Sequence, residues 1–307
     1  MKFENTLENL AVLILNYNSS SLTISNADNM LQFGKGLNVV IVDNCSTDDS
    51  VAKFESHFKD AKNVFICKNN SNSGYAAGNN CGIKFIREHL PYADAILITN
   101  PDIFVPCTEV LESMYSEIFN NKKIGAVTVQ TIYNGRIREP NECAWRHHSV
   151  SRLLMMSSVL FGRKVTHARY KEFDIQEREY SVVDVVQGCF FMCRVDALLD
   201  INGFDENTFL YAEEQILAKR FNRKGYYNAV LPKYFIYHNH REKDKQLKNY
   251  ATKVEDMRHY FDSEKYYIRE YMNCSKWKKF LARYVLDIDF QIKKLLLHLR
   301  WRIQGSI

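Results

Sequence analysis

The fold is indicated first by residues 10–18, LAVLILNYN, in which six apolar residues precede Asn16, Tyr17 and Asn18. A short apolar run that ends in polar residues is typical of a strand buried on both faces. Similar runs predict three further strands, at Asn38–Val42, Asn63–Cys67 and Ala95–Thr99. Amphipathic patterns predict helices near Ser21–Phe33, Asp48–Phe58 and Ala76–His89. Strands and helices that alternate at this spacing predict an α/β fold with a parallel sheet.

The second half of the chain has weaker periodicity. Residues from about Tyr133 to Tyr180 show few clear signals, and we interpret them as an acceptor-side insertion. The remaining patterns predict a strand at Val182–Cys193, a helix at Ala212–Lys224, a strand at Tyr226–Tyr237 and helix throughout the last forty residues. The predicted fold class is therefore α/β, with a mixed, mainly parallel sheet flanked by helices and a helical C-terminal extension.

Composition is typical of a folded protein without a disulfide framework or a zinc site. The chain has 307 residues, of which 46% are hydrophobic and 25% charged, and its eight cysteines show no C-x-x-C spacing. The polar, acidic start lacks the pattern of a signal peptide. No apolar run reaches the roughly 18 to 20 residues of a membrane-spanning helix. The sequence therefore predicts a cytoplasmic protein that contacts membranes only peripherally.

The C-terminal segment is basic and amphipathic. Residues 276–302 contain eight Lys or Arg and two Asp residues, a net charge of +6, so the rest of the chain sums to about −1. Apolar residues recur at helical spacing on one face: Leu281, Tyr284, Val285, Ile288, Ile292, Leu295, Leu296 and Leu299. Such a helix, with Trp277 and Trp301 near its ends, is typical of one that lies on an anionic membrane surface. The alternative is a helix that packs on the body with a solvated basic face.

Polar residues follow each of the first four predicted strands. Ligands of parallel sheets bind beyond the carboxyl ends of the strands. Those ends carry Asn16–Asn18, Asp43, Lys68–Asn72 and Asn100–Asp102. The sequence therefore predicts that the four ends converge on one polar binding site.

Two of these strand ends have the chemistry of a nucleotide site. Asp43 is a candidate acceptor for the imide N–H of a uracil or thymine ring, although an Asp-Asn strand end is also common in turns and helix caps. The small-residue loop Asn72–Asn80 leads into a helix, so its backbone N–H groups can approach a phosphate. The alternative for this loop is a tight turn that needs a glycine with positive φ.

Asp102 is a candidate ligand for Mg²⁺ or Mn²⁺, because hard cations take carboxylate oxygens and usually share them with substrate phosphates. Asn100 offers an amide where a second carboxylate would be expected. An imidazole after a later strand is the candidate second ligand, and His238 is preferred to His240. The alternative for this His pair is a polar strand end.

Adjacent carboxylates begin the helix predicted at Ala212–Lys224. Glu213 and Glu214 disfavour each other's ionised form, and a partly buried carboxyl can reach the pKa that a general base needs. Acidic residues also suit the first turn of any helix, and that is the alternative.

Taken in order, these segments resemble the family 2 glycosyltransferases with the GT-A fold, and among them the rhamnosyltransferase-like branch of bacterial O-antigen and capsule synthesis. The resemblance covers roughly residues 10–240. On the donor side the similar motifs are Asn16-Tyr17-Asn18, Val42-Asp43-Asn44, the Asn72–Gly82 loop and Asn100-Pro101-Asp102. On the acceptor side they are Gly188 with Phe191-Met192, Gly203-Phe204-Asp205-Glu206, Tyr211-Ala212-Glu213-Glu214 and Arg220.

The resemblance implies a GT-A catalytic domain at residues 1–240, with a donor half at about 1–130, an acceptor half at about 131–240 and an extension at 241–307. It implies a nucleoside diphosphate sugar as donor, a divalent ion at Asp102, and Glu214 as the base for one displacement with inversion beside its structural neighbour Glu213. The expected donor contacts are Asn16, Asn18, Asp43, Asn72, Gly74, Gly78, Asn79 and Asn100. The expected acceptor-side residues are Gly188, Asp205, Glu206 and Arg220.

The chain departs from the family pattern at the base. Glu214 stands where the family commonly has Asp, and Ile216 where a further Asp is expected. The implied reaction moves rhamnose from dTDP-rhamnose, or a hexose from its UDP form, to a lipid-linked glycan at the inner face of the cell membrane.

Two other functions stay open at the level of sequence. One is a degenerate relative that binds donor or glycan without turnover. The other is a sugar nucleotidyltransferase, although the chain shows no Gly-rich segment with Arg and Lys close to the amino terminus. Nucleic-acid binding is disfavoured, because the body lacks a basic groove signature with interleaved aromatic residues.

Overall fold

A computed structural model of the chain describes residues 7–133, 136–137, 143–162, 164–165, 167, 170, 179–238 and 249–304. The helices are α1 (Ser20–Leu31), α2 (Ser50–His57), α3 (Tyr75–His89), α4 (Thr108–Asn120), α5 (Val150–Ser157), α6 (Val195–Asp200), α7 (Glu213–Arg223), α8 (Tyr250–Glu270) and α9 (Lys276–Gln304). The strands are β1 (Leu10–Asn16), β2 (Asn38–Asp43), β3 (Val64–Lys68), β4 (Ala95–Thr99), β5 (Ile103–Phe104), β6 (Ile124–Tyr133), β7 (Arg136–Ile137), β8 (Ala144–Trp145), β9 (Ser181–Val183), β10 (Val185–Val186), β11 (Phe190–Arg194) and β12 (Tyr227–His238).

The main sheet has the strand order β3-β2-β1-β4-β11-β6-β12-β5, with β7 beside β6 and β9 beside β12. Strands β3, β2, β1 and β4 are parallel, β11 is antiparallel to β4 and β6, and β12 is parallel to β6. Strands β8 and β10 form a separate antiparallel pair. The prediction of a mixed, mainly parallel sheet flanked by helices is confirmed.

Strand β1 illustrates why these strands are apolar throughout. Successive side chains of a strand point to opposite faces of the sheet. Val12 and Ile14 lie in one buried cluster with Leu111 of α4, and Leu13 lies in another with Ile83 of α3. Because helices cover both faces, neither face can carry polar residues, and the strand is a continuous apolar run in the sequence.

The parallel register brings the polar strand ends together. Asn16 lies directly opposite Asp43, and Asp43 lies opposite Lys68. On the other side of β1, Ile14 lies opposite Thr99, so Asn100 follows at the level of Leu15. Strands β1, β2, β3 and β4 therefore end at the same edge of the sheet.

The prediction of one strand at Val182–Cys193 is wrong. The structure divides this run into β9, β10 and β11, which pair with β12, β8 and β4 respectively. The breaks fall at Asp184 and at residues 187–189. Apolar character predicts burial but does not specify which strand a segment pairs with. An apolar run that contains three separate strands therefore cannot be distinguished in the sequence from one long strand.

The last forty residues are not helical throughout, because α8 ends at Glu270 and α9 begins at Lys276. Helix α8 packs on the body of the protein. The Ser263 hydroxyl donates to the Leu210 carbonyl at 2.8 Å, and the Tyr267 hydroxyl donates to Gln215 Oε1 at 3.2 Å. The extension is therefore joined to the residues that precede and form α7.

Helix α9 packs on the body through a face other than its apolar one. Ala282 and Leu286 are buried in a cluster with α5 and α8. The predicted apolar face is exposed to solvent, and six of its side chains have between 42% and 58% of their surface accessible: Leu281, Tyr284, Ile288, Ile292, Leu295 and Leu299. We call these six residues the apolar stripe of α9. Among the described helices, none combines the length and the apolarity needed to cross a membrane.

Candidate active site

Asp43 lies at the carboxyl end of β2 with 3% of its surface exposed. Asn16 Nδ2 donates to Asp43 Oδ1 at 2.9 Å. Ser46 donates from its hydroxyl to Oδ1 at 2.6 Å and from its backbone N–H to Oδ2 at 2.9 Å. A carboxylate accepts about four hydrogen bonds. Asp43 is therefore fixed in orientation by Asn16 and Ser46 and keeps capacity on Oδ2 for a further donor.

Asn18 joins the loops that follow β1 and β2. Its backbone N–H donates to Ser46 Oγ at 3.0 Å, and the Thr47 N–H donates to Asn18 Oδ1 at 2.8 Å. Asn18 has a φ of 52°, in the left-handed region that Asn adopts more readily than most residues. The structure thus brings Asn18 to the Asp43 site, where its side chain holds the loop.

Asn44 anchors the loop after β3. Its Nδ2 donates to Asn72 Oδ1 at 2.9 Å and to the Gly74 carbonyl at 3.2 Å. Asn72 Oδ1 also accepts the Gly74 N–H at 3.1 Å. Asn72 therefore shapes its own loop. Asn44 was not among the expected donor contacts, and its signal in the sequence was its place in the Val42-Asp43-Asn44 motif.

The glycines of this loop are required by neighbouring protein atoms. Gly74 has a φ of 92°, and a Cβ there would lie 2.0 Å from the Phe209 carbonyl oxygen. A Cβ on Gly78 would lie 2.6 Å from Leu15 Cδ1. Asn79 is fully buried, and its Nδ2 donates to the Tyr75 carbonyl at 2.9 Å. These contacts pack α3 against the sheet, so the structure places Gly78 and Asn79 in the interior.

We expect Gly74→Ala to lower the free energy of unfolding by more than about 2 kcal/mol, because the left-handed backbone and the clash with Phe209 act together. Gly225 has a φ of 84° but no atom within 4 Å of an added Cβ, so Gly225→Ala isolates the backbone penalty of about 1 kcal/mol. Gly34 has open space and no positive φ, so Gly34→Ala serves as the neutral control. Chemical denaturation compares the three. Equal losses for Gly74→Ala and Gly225→Ala would contradict the tight contact with Phe209.

Asp102 and His238 meet across 136 positions of sequence, with His238 Nε2 at 3.0 Å from Asp102 Oδ2. The antiparallel pairing of β5 with β12 places His238 opposite Ile103, directly after Asp102. Both side chains are largely buried, with 12% of Asp102 and 7% of His238 exposed. His240 lies outside the described residues.

This pair fits a divalent cation whose other ligands come from a substrate. Carboxylate oxygen and imidazole nitrogen both bind Mn²⁺, and Mg²⁺ in proteins is usually held by one or two carboxylates together with phosphate oxygens and water. Within the described part of the chain, no three His, Cys, Asp or Glu side chains form a group able to hold a metal. A cation at Asp102 and His238 would therefore depend on the phosphates for the rest of its coordination.

Glu213 and Glu214 begin α7 after a strained turn. Tyr211 and Ala212 have φ angles of 77° and 64°, in the left-handed region that costs an L-residue roughly 1–2 kcal/mol. Strain of this kind concentrates where a side chain must be presented in one orientation. The Gly188 N–H donates to the Glu214 carboxylate. A Cβ on Gly188 would lie 2.8 Å from Glu214 Oε1, so a side chain at this position would displace the Glu214 carboxyl.

The environment of this pair favours proton exchange near neutral pH. Burial and the charge of Glu214 raise the pKa of Glu213 to about 8. Burial also raises the pKa of Glu214, while hydrogen bonds from backbone N–H groups favour its ionised form. Two such carboxyls titrate as a coupled pair. The charge of Glu214 raises the pKa of Glu213, and no charge on Glu213 raises that of Glu214, so Glu214 is the member that ionises first.

A cavity of about 540 Å³ connects these groups. Its wall includes Asn100 and His238 from the strand-end side, Glu213 and Glu214 from α7, and Glu264 from α8. The backbone of Asn100 is fixed, because its N–H donates to the Cys189 carbonyl at 2.8 Å and its carbonyl accepts from Asn26 Nδ2 at 2.7 Å. The proposed base and the proposed metal ligand thus face one space.

Glu264 is a site residue that the sequence analysis did not predict. It shares one helical face with Met257, Phe261 and Ile268, at spacings of four, three and four residues. Burial, and then the charge of Glu214, raise the pKa of Glu264 to about 8. The sequence signal that could have identified Glu264 is a carboxyl residue on the otherwise apolar face of a helix.

Asp205, Glu206 and Arg220 lie outside this cavity wall. Asp205 accepts hydrogen bonds from Tyr266 at 2.7 Å and from Tyr271, and so holds α8. Glu206 accepts from Asn80 Nδ2 at 2.7 Å, and Arg220 donates to the Ile201 carbonyl at 3.0 Å. The structure does not bring these three side chains to Glu214, and their role on the acceptor side stays a prediction.

The profile of glycosyl transferase family 2 matches residues 11–201, more than half of the chain. The chain belongs to glycosyl transferase family 2. Rhamnosyltransferase WbbL of Escherichia coli (strain K12) is 25% identical over 169 residues. That alignment covers 54% of this family 2 chain and 60% of WbbL, which is less than two thirds of the relative.

Solved structures similar to this family 2 chain include three glycosyltransferases. GalNAc-T7, solved with UDP, GalNAc and Mn²⁺, has a TM-score of 0.63 at 13% identity, over 90% of this chain and 54% of that one. Mannosyltransferase PcManGT from Pyrobaculum calidifontis, in complex with GDP-Man and Mn²⁺, has a TM-score of 0.55 at 14% identity, over 97% and 79%. S. aureus TarS in complex with UDP-GlcNAc has a TM-score of 0.53 at 16% identity, over 89% and 70%. The predicted GT-A fold is confirmed.

Proposed function

We propose that this chain is an inverting, metal-dependent glycosyltransferase that moves a sugar from a nucleoside diphosphate to a lipid-linked glycan. Rhamnose from dTDP-rhamnose is the first candidate donor and a UDP-hexose the second. The observation that carries the proposal is the single cavity onto which Glu214, His238 and Asn100 open. Membership of family 2 and the similarity to WbbL support the class of reaction and the rhamnosyl candidate.

In the proposed reaction Glu214 removes the proton from an acceptor hydroxyl. The acceptor oxygen forms a bond to the anomeric carbon as the bond from that carbon to the diphosphate oxygen breaks, which inverts the configuration. A general base works best when its pKa lies near the working pH. The raised pKa of Glu214 and the hydrogen bond from Gly188 suit this role. Glu213, buried beside it, raises the energy of the doubly ionised pair.

The strand ends are proposed to hold the nucleotide. Asp43 has acceptor capacity left on Oδ2 for the imide N–H that uracil and thymine share. Asn16, Asn18 and Asn72 act as positioning residues for Asp43 and its loops. Gly74, the residue directly before α3, keeps the start of that helix close to the same edge.

Asp102 and His238 are proposed to hold the divalent cation, which when bound would neutralise the charge of the departing diphosphate. The 3.0 Å contact between His238 Nε2 and Asp102 Oδ2 keeps the imidazole and the carboxylate in register. Their burial excludes water from the side of the site where the charge develops.

The proposal is tested by measuring nucleoside diphosphate release from a panel of dTDP- and UDP-sugars with Mg²⁺ or Mn²⁺, with and without lipid extract as acceptor source. We expect metal-dependent release from one donor, increased by the acceptor, and an inverted anomeric centre by NMR. Binding of the nucleotide without turnover of any donor would contradict the transferase and indicate a degenerate binding protein.

The apolar stripe of α9 is proposed to lie on the anionic inner face of the cell membrane. It exposes six large apolar side chains on a segment with a net charge of +6. Apolar area exposed on one face with surrounding Lys and Arg is complementary to an anionic lipid surface. A lipid-linked acceptor would be delivered to the enzyme at that surface.

We expect the double variant Ile288→Glu and Leu295→Glu to lose at least about tenfold in affinity for vesicles that contain phosphatidylglycerol. The reason is that two apolar side chains are no longer transferred from water into the lipid surface when the helix binds. Leu160→Glu, at a side chain exposed outside α9, is the matched control. Vesicle sedimentation at low and high salt measures binding, which salt should weaken. Equal binding of the control and the double variant, or a concentration-dependent dimer that only the double variant loses, would contradict the membrane assignment.

A further inference from the structure

Glu264 presents a buried carboxyl to the cavity from helix α8. The residue is 8% exposed, and it forms part of the cavity wall with Glu213 and Glu214. Within the described part of the chain no hydrogen bond to the Glu264 carboxyl is observed, in contrast to Glu214, which accepts from the Gly188 N–H. A buried carboxyl without a partner is costly. This cost is offset if a ligand supplies the missing hydrogen bonds.

The carboxyl of Glu264 differs chemically from that of Glu214. Its pKa is raised to about 8, so at neutral pH it is mostly protonated. In that form it offers one O–H donor and acceptor oxygens, which is the pairing capacity needed for a ligand hydroxyl. It does not compete with Glu214 as a base, because the charge of Glu214 is one cause of the raised pKa.

Aromatic side chains surround this part of the cavity. Tyr260 and Tyr211 meet edge to face, with ring centroids 5.6 Å apart, and the Tyr260 hydroxyl lies 3.1 Å from Ser157 Oγ. Trp145 and His167 also belong to the wall, with ring centroids 4.4 Å apart. Rings of this kind offer apolar contact area at low entropic cost together with polar groups at their edges.

A ligand with both apolar C–H faces and several hydroxyls matches this wall. A pyranose ring has that character, since its C–H faces pack on aromatic rings and its hydroxyls pair with carboxyl and imidazole groups. Glu264 lies near enough to Glu214 for one charge to affect the other, so a sugar at Glu264 can present a second hydroxyl to the proposed base. The donor nucleotide is proposed to bind at the strand ends, near Asp43. The region around Glu264 is therefore available to the acceptor.

We propose that Glu264, Tyr260 and Tyr211 form the subsite for the terminal sugar of the acceptor, so that helix α8 sets acceptor specificity. This inference rests on the proposed glycosyl transfer. It assigns the choice of acceptor to a helix that lies beyond residues 11–201, where the family profile matches.

The test uses the full chain and methyl glycosides of rhamnose, glucose, galactose and N-acetylglucosamine as probes, followed by saturation-transfer NMR. We expect the wild type to bind at least one glycoside, and Glu264→Leu to weaken that binding by about tenfold, as expected for the loss of hydrogen bonds to a ligand. Glu264→Gln should keep most of the affinity, because an amide also offers a donor and an acceptor. Glu255→Gln, at an exposed position of the same helix, is the matched control.

UDP and dTDP binding, measured on the same samples by calorimetry, reports on folding and on the donor site. Unchanged nucleotide affinity in Glu264→Leu together with weakened glycoside binding supports the subsite. No glycoside binding by the wild type, or equal binding by wild type and Glu264→Leu, would overturn it. Failure of the wild type to bind either nucleotide would instead overturn the proposed function, and the glycoside result would still decide the subsite.

Discussion

Replacing Glu214 by Gln is expected to lower kcat for sugar transfer by about 10²- to 10⁴-fold, the range over which a positioned general base contributes. Gln keeps the size of the side chain and can still accept the Gly188 N–H, so nucleotide affinity should not change. Initial rates with the active donor, and calorimetric titration with the nucleoside diphosphate, separate the two effects. The matched control is again Glu255→Gln, an exposed position on α8.

The pH dependence of kcat gives a second readout. The base must be ionised, so the rate should fall as the pH falls through the pKa of Glu214, which burial raises above the ordinary carboxyl range. Glu213→Gln should leave this acid limb in place and preserve most of the maximal rate, because Glu213 is still protonated and neutral at the pH where Glu214 ionises. If Glu213→Gln abolished transfer and Glu214→Gln did not, the two roles would have to be exchanged.

Asp102→Asn is expected to abolish the stimulation of transfer by Mg²⁺ or Mn²⁺ and to lower kcat by roughly 10³-fold or more, since metal stabilisation of a leaving phosphate is worth several kcal/mol. The amide can still contact His238, so the local packing is kept and the loss reports on charge. The measurement is the rate as a function of metal concentration, with nucleotide affinity determined in the presence and absence of Mn²⁺.

His238→Gln provides the comparison for Asp102. A neutral ligand contributes less than a carboxylate to a hard cation, so we expect a weaker apparent metal affinity with a smaller loss of kcat. Full wild-type activity in the presence of a chelator would remove the metal from the mechanism. Preserved metal stimulation in Asp102→Asn would place the cation at other residues.

The donor-side sheet was accessible from sequence because β1, β2 and β4 are buried on both faces. Ala95–Thr99 has the predicted limits, and β1 and β2 each extend one residue beyond them. Continuous apolar runs closed by polar residues give a strong local signal. The failure at Val182–Cys193 has the same origin, because burial is encoded locally whereas the pairing partner is not.

The roles of individual polar residues were less predictable. Asn16 and Asn72 were expected at the nucleotide, and the structure shows them hydrogen-bonded to Asp43 and Asn44. Asp205 was expected on the acceptor side, and it is bound by tyrosines of the C-terminal segment. The hydrogen-bond partner of a polar side chain depends on which segments pack against it. For these three residues the packing segments lie far away in the sequence.

By itself, the sequence determined the alternation of strands and helices, the polar strand ends and the acidic start of α7, since all of these are local patterns of burial and capping. Only the tertiary structure decided that Asp102 meets His238, that Glu264 opens into the cavity of Glu214, and that the apolar stripe of α9 faces solvent. Each of these depends on strand register or helix packing between segments far apart in sequence. Periodicity shows which face of an element is apolar, and the packed fold alone determines what covers that face.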